Sequence, residues 1–203
     1  ARPADLPSLA EDAALAAAAL RWLAGLFLAP PGPDGMAALR QVLPTLAGDA
    51  ALGPALAGMA DRLSALEDPD RDLAIAFNRL FVGAGGPETV APYESARAEP
   101  HGRLFGTATA EMADLLEQLD LRVAIAEPPD HLAVELQLLA QLAATGDPRE
   151  AMLLRRLGGW VPSFRDACAA RDPTGFYAAA AAALSTLLDG RAAVIAPTLH
   201  AID

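Results

Sequence analysis

Residues 127–135 read Glu-Pro-Pro-Asp-His-Leu-Ala-Val-Glu, so Glu127, Asp130 and Glu135 place three carboxylates around His131, one of three histidines in the chain. An imidazole among carboxylates can move protons, hold a metal ion or meet a cationic partner, and its surroundings decide which. Catalysis would need an oriented nucleophile and a substrate pocket, and neither is visible in the sequence. The other histidines, His101 and His200, stand in no metal-ligand order, and His131-x-x-x-Glu135 is much weaker than the His-Glu-x-x-His zinc pattern. Ser95, in Tyr93-Glu94-Ser95-Ala96-Arg97, lacks the Gly-x-Ser-x-Gly turn of one hydrolase class. The glycines at 83, 85 and 86 are followed by neither Lys-Ser nor Lys-Thr and preceded by no strand, which excludes a Walker-type nucleotide loop.

Three readings of 127–135 therefore stand side by side: a capped helix with a surface His131–Glu135 pair, a polar rim for partner recognition, or a catalytic fragment. In each, Asp130 is expected to cap the following helix, with Pro128 and Pro129 stiffening its approach. His131 and Glu135, four residues apart, would share one helix side, and Leu132, Leu136 and Leu139 the neighbouring packed side. Tyr93 sits in a proline-bounded loop where binding and packing are equally open, because a tyrosine joins apolar area to a hydroxyl.

The elements that must hold these residues are helical. Ser8 and Glu11 predict a capping box before an apolar stripe of Leu15, Ala19, Trp22, Leu23, Leu26 and Phe27, ending near Ala29. Further stripes are Leu39-Val42-Leu43-Leu46, Leu56-Met59-Leu63-Leu66, and Met112-Leu115-Leu116-Leu119 within 107–119. Asp68-Pro69, Asp147-Pro148 and Asp172-Pro173 predict three helix starts, because aspartate can accept from free amides where proline lacks one. The last of these helices is expected to close at Gly190, and Pro162-Ser163-Phe164 to open a short one. Trp22, Phe77, Phe81, Phe105 and Trp160 are expected in the core. The 121–125 stretch, Leu-Arg-Val-Ala-Ile, is the single ambiguous strand pattern. The prediction is an all-α protein of roughly nine or ten helices, one domain over 1–203 with a hinge or binding loop at 83–100.

Composition narrows the function classes. Hydrophobic residues make up 53% of the 203, which excludes a disordered chain, and the net charge of −11 disfavours nucleic acid and anionic membrane while suiting a basic peptide. A lone Cys168 excludes an internal disulfide and suits a reducing cytoplasm. No run of about 18 apolar residues free of charge or helix breakers predicts stable membrane insertion. The first residues, Ala1-Arg2-Pro3-Ala4-Asp5, lack the order of an export signal.

Phe77-Asn78-Arg79-Leu80-Phe81-Val82-Gly83, then Pro92-Tyr93-Glu94-Ser95, then residues 127–136 occur in an order and separation that resemble the TorD/DmsD family of assembly chaperones for molybdenum-containing oxidoreductases. The similarity spans most of 9–190 and is strongest over 73–140. It implies a cytoplasmic, noncatalytic chaperone that needs no cofactor of its own. Its partner would be the precursor of a molybdoenzyme catalytic subunit, bound through an N-terminal leader, often twin-arginine, and sometimes through the immature body. Binding would delay export and keep the apoenzyme receptive to its cofactor. The resemblance assigns Tyr93, Glu94, Ser95, Glu127, Asp130, His131 and Glu135 to the peptide-binding region. Tyr93 stands where many relatives carry tryptophan, and Arg97 where an aromatic residue is common, which points toward an altered leader choice or a branch nearer the nitrate-reductase or type II dehydrogenase chaperones. A monomer is expected over an exchanged dimer. The competing readings are a general helical adaptor and a His/carboxylate hydrolase.

Overall fold

A computed structural model describes residues 8–83, 86, 88–98 and 104–199. Nine α-helices follow one another among them: α1 (Ala13–Leu28), α2 (Pro33–Leu46), α3 (Gly53–Ser64), α4 (Pro69–Phe77), α5 (Ser95–Ala98), α6 (Thr107–Gln118), α7 (Leu132–Thr145), α8 (Glu150–Arg171) and α9 (Phe176–Leu199), with a π turn (Asn78–Val82) continuing α4. The all-α expectation holds. His101, His200, the first seven residues and parts of the 83–100 loop (84, 85, 87, 99 and 100) lie outside the described residues.

The helices form where the apolar period predicts, and their ends follow local chemistry. Asp68 caps α4 by accepting from the Arg71 amide, as expected. Ser8 and Glu11 do pair, through the Ser8 amide, but they close a turn. Helix α1 starts at Ala13, where Asp12 accepts from the Ala14 and Leu15 amides. Asp147 likewise shapes the turn before α8, accepting from the Arg149 amide. Asp172 terminates α8 and reaches past Pro173 to the amides of Thr174 and Ala178, so α9 begins later, at Phe176.

Two expected breaks are absent. Pro162 lies inside α8, which runs unbroken through Gly158, Gly159 and Trp160. Burial of Leu157, Trp160, Val161 and Phe164 on one face outweighs the hydrogen bond that proline cannot make. Gly190 does not end α9 either: a Cβ there would come within 2.9 Å of Ala10 Cβ, so the glycine serves close contact between the N-terminal segment and the last helix.

Helix α1 packs on α7, α8 on α9, and α3 on α9. Between them, the rings of Phe27, Phe77, Phe81, Phe164 and Tyr177 meet with centroids 5.2–6.0 Å apart, mostly edge to face, an arrangement worth about 0.5–1.5 kcal/mol per pair beyond burial. The Tyr177 hydroxyl donates to the Leu73 carbonyl at 3.2 Å. Trp22 is partly buried against this core, but Phe105 is 72% exposed and has a positive φ of 59°, contrary to its expected core position. The turn into α6 fixes its backbone and leaves the ring facing outward. Among the described helices, α9 alone has the length and apolarity to cross a bilayer, and its side chains from Phe176 to Leu188 supply much of the core.

Arg191 of α9 donates to Glu150 of α8 at 2.6 and 3.2 Å, and more weakly to the Ala10 carbonyl at 3.4 Å, all in the interior. Removing one charge strands the other. Arg191→Leu is expected to lower the urea-unfolding free energy by about 3–5 kcal/mol, and Glu150→Leu in the same chain to restore most of it. A double variant as unstable as the single one would refute this.

Candidate functional site

Helix α7 is apolar on nearly all sides, with Leu132, Leu136, Leu139 and Ala140 fully buried, so its start is fixed deep in the fold. His131, not Asp130, is its N-cap: His131 Nδ1 accepts from the Ala133 amide at 3.0 Å. The neutral ring therefore carries its proton on Nε2. Burial holds the His131 pKa below its ordinary value against the opposing charges of Glu127 and Asp130, which keeps Nδ1 free to accept.

Asp130 caps a different helix. Its Oδ2 accepts from the Ser95 amide at 3.1 Å and so holds the start of α5, 35 positions earlier. Around it the main chain is laced: the Glu94 amide donates to the Asp130 carbonyl at 3.0 Å and the Leu132 amide to the Pro92 carbonyl at 2.8 Å, forming an antiparallel bridge between Tyr93 and His131. The Tyr93 ring stands edge-on to the His131 ring at 5.0 Å, and its hydroxyl donates to Glu127 Oε2 at 3.0 Å. Burial first, then that bond and the charges of Glu127 and Asp130, pushes the Tyr93 pKa up to about 12.

The structure thus brings all seven predicted residues together, but not as an exposed rim. Asp130, His131, Ser95 and Glu135 are buried, with exposures of 1, 3, 1 and 0%. Glu135 does not pair with His131 on a surface; its Oε2 accepts from Trp160 Nε1 at 3.3 Å. Glu94 is gripped by Arg156 of α8 at 2.6 and 2.7 Å, and Arg156 also donates to Glu111 Oε2 and the Ala108 carbonyl. Glu94 is therefore committed within the fold. Glu127 and Tyr93 alone of the seven remain half-exposed.

Arg156 was not singled out by sequence, and Trp160 only as a core residue, which it is at 2% exposure; neither was placed at the site. Their signal was available, since carboxylates next to an apolar run require a cation or donor from elsewhere, and Arg156 sits beside Leu153, Leu154 and Leu157. Metal binding has no support in the geometry: no group of three or more His, Cys, Asp or Glu side chains among the described residues could hold an ion. Cys168 is buried, and that burial, with Asp172 nearby, raises its thiol pKa to about 12, far from a reactive thiolate.

Burial, then repulsion from Glu94, raises Glu135 well above the usual carboxylate range. Because Arg156 grips Glu94, the charge resides there and Glu135 keeps its proton. A group that titrates higher in the folded chain stabilises fully below its unfolded pKa, here about 4.5. It loses that contribution as pH rises, at up to about 1.4 kcal/mol per pH unit. Glu135→Gln should flatten the pH dependence of unfolding free energy above that point relative to the parent. Identical slopes would mean that Glu135 is ionised in the fold.

Residues 46–166 match the family model described as nitrate reductase delta subunit. The chain is 29% identical to the chaperone protein TorD of Aliivibrio salmonicida over 64% of this chain and 66% of the relative, and 34% identical to TorD of Aeromonas salmonicida over 63% and 62%. It thus spans slightly under two thirds of the length of these two. TorD of Shewanella loihica is 33% identical over 67% of this chain and 69% of its own. In fold, the chain is similar to a candidate redox enzyme maturation protein from Archaeoglobus fulgidus, with a TM-score of 0.55 and 23% identity, covering 84% of this chain and 91% of that one. All three segments that carry the resemblance, 77–83, 92–95 and 127–136, overlap the residues of the family match. The chain belongs to the TorD/DmsD family of redox-enzyme maturation chaperones.

Proposed function

We propose that this chain is a cytoplasmic chaperone for the precursor of a molybdenum-containing oxidoreductase, binding the precursor's N-terminal leader at the surface formed by Tyr93, Glu127 and the bridge beneath them. The observation that carries this reading is the bridge between Tyr93 and His131, which fuses two separate family segments into one surface. Asp130, Ser95, Glu94, His131 and Glu135 hold that surface from below. Glu127 remains half-exposed, with one carboxylate oxygen engaged by Tyr93.

Such an arrangement suits a leader that joins arginines to an apolar stretch. A guanidinium makes charge-assisted bonds with the Glu127 carboxylate, while the half-exposed Tyr93 ring offers apolar contact. The chain's net charge of −11 favours approach of a basic peptide. Binding there holds the leader away from the export machinery and keeps the apoenzyme open while its cofactor is inserted by others. The chaperone performs no bond-making step. A monomer suffices for this, with the immature body of the client as a second contact.

Titration calorimetry with a synthetic twin-arginine leader peptide tests the reading. Glu127→Gln should weaken binding by about tenfold, the value of one charge-assisted hydrogen bond, with unchanged helical circular dichroism and weaker salt dependence. Asp130→Ala should weaken binding together with unfolding stability, by about 1–2 kcal/mol as for other lost caps. If Glu127→Gln binds as tightly as the parent, the leader arginines do not meet this surface. If the parent binds only leaderless precursor, a general adaptor is the better reading.

A further inference from the structure

The sequence sets Arg97 apart, and the leader surface described above leaves it without a role. The turn of α5 fixes its backbone, because the Arg97 and Ala98 amides both donate to the Glu94 carbonyl at 2.8 Å and Arg156 holds the Glu94 side chain. Arg97 therefore belongs to the same stiff platform, four positions from Tyr93. Its guanidinium makes no hydrogen bond or ion pair among the described residues. Nε is shielded from solvent and lacks an acceptor, so only the terminal nitrogens of this half-buried side chain stay open to solvent.

The surroundings supply no counter-charge. Arg97 lies near Cys168 and Arg171 of α8: the thiol is buried and neutral at pH 7, and Arg171 adds a second positive charge. The carboxylate of that corner, Asp172, is engaged elsewhere, with Oδ1 accepting from the Thr174 amide and hydroxyl and Oδ2 from the Ala178 amide, at 2.8–3.0 Å. Burial disfavours the Arg97 charge, yet a guanidinium keeps it at pH 7. A half-buried guanidinium with an idle donor gains most from a carboxylate that accepts at Nε and a terminal nitrogen together.

Resting on the leader reading above, we infer that Arg97 is a specificity-determining residue whose ligand is a carboxylate of the client, so that the bound segment presents an aspartate or glutamate at α5 as well as arginine at Glu127. The platform then reads both signs of charge. A segment with arginines alone satisfies its Glu127 side and leaves Arg97 unpaired, and a segment basic throughout is repelled by Arg97 and Arg171.

Titration calorimetry of the full chain against a series of synthetic peptides tests this. Each is about 25 residues long, bears two adjacent arginines before a leucine-rich run, and differs from the others only in where a single aspartate, or asparagine in its place, stands. At one position or more, aspartate should bind about tenfold more tightly than asparagine, the gain from one charge-assisted pair, and that comparison leaves the protein unaltered. Arg97→Gln should abolish the difference, with the asparagine peptides bound no more weakly and helical circular dichroism unchanged. Arg97→Glu should bind best the peptide with lysine at that same position. If no aspartate gains over its asparagine while Glu127→Gln still weakens binding, the Arg97 contact is overturned and the leader reading stands. If inorganic phosphate shifts the Arg97 Nε–H resonance in NMR and none of the peptides does, the site takes a free anion, which overturns the client contact as well. No binding of any peptide by the parent chain overturns both readings.

Discussion

The segments 92–95 and 130–132 exchange main-chain hydrogen bonds across the mouth of α7, and Asp130 adds its side chain to the same seam. Neither segment has regular structure of sufficient length to stand alone. Each satisfies the other's polar groups in a place where water is largely excluded, so losing one side leaves buried amides unpaired. The placement of Tyr93 over His131, the start of α5 and the reach of Glu94 toward Arg156 all follow from this seam. It converts a loop and a helix entrance into one stiff platform.

Beneath the platform, charge is arranged for confinement. Arg156 from α8 serves Glu94 and Glu111 together, and Trp160 one turn later serves Glu135. One cation and one indole therefore tie the platform to a helix of the core. A protonated Glu135 avoids the cost of a second buried negative charge beside Glu94. The arrangement favours a fixed surface over an adaptable one.

Local period was the readable part of the sequence. Phe77 and Phe81, Leu136 and Leu139, and the Asp68 cap stand where the spacing placed them, since each depends on neighbours within one or two helical turns. What distance along the chain conceals is the rest. Asp130 looked like a cap for the helix next to it, yet its partner is Ser95. Glu94 looked available to a client, yet Arg156, 62 residues away, holds it. Pro162 and Gly190 looked like helix ends because their usual meaning is local, whereas here packing on α8 and the contact with Ala10 govern them. Phe105 shows the reverse error, an aromatic assigned inward by type and left outside by its turn. The ambiguous 121–125 strand pattern forms no strand: the segment is irregular and pairs with no ladder.

Ala10 touches α9 at Gly190 and accepts from Arg191, whereas α1, just after it, rests on α7. The segment before α1 is therefore secured by a helix 181 positions further along the chain. Until α9 has emerged, Glu150 lacks its cation and the segment before α1 lacks its seat, so a nascent or truncated chain holds an incomplete core. Closure of that core thus depends on contacts between parts of the chain that are far apart in sequence.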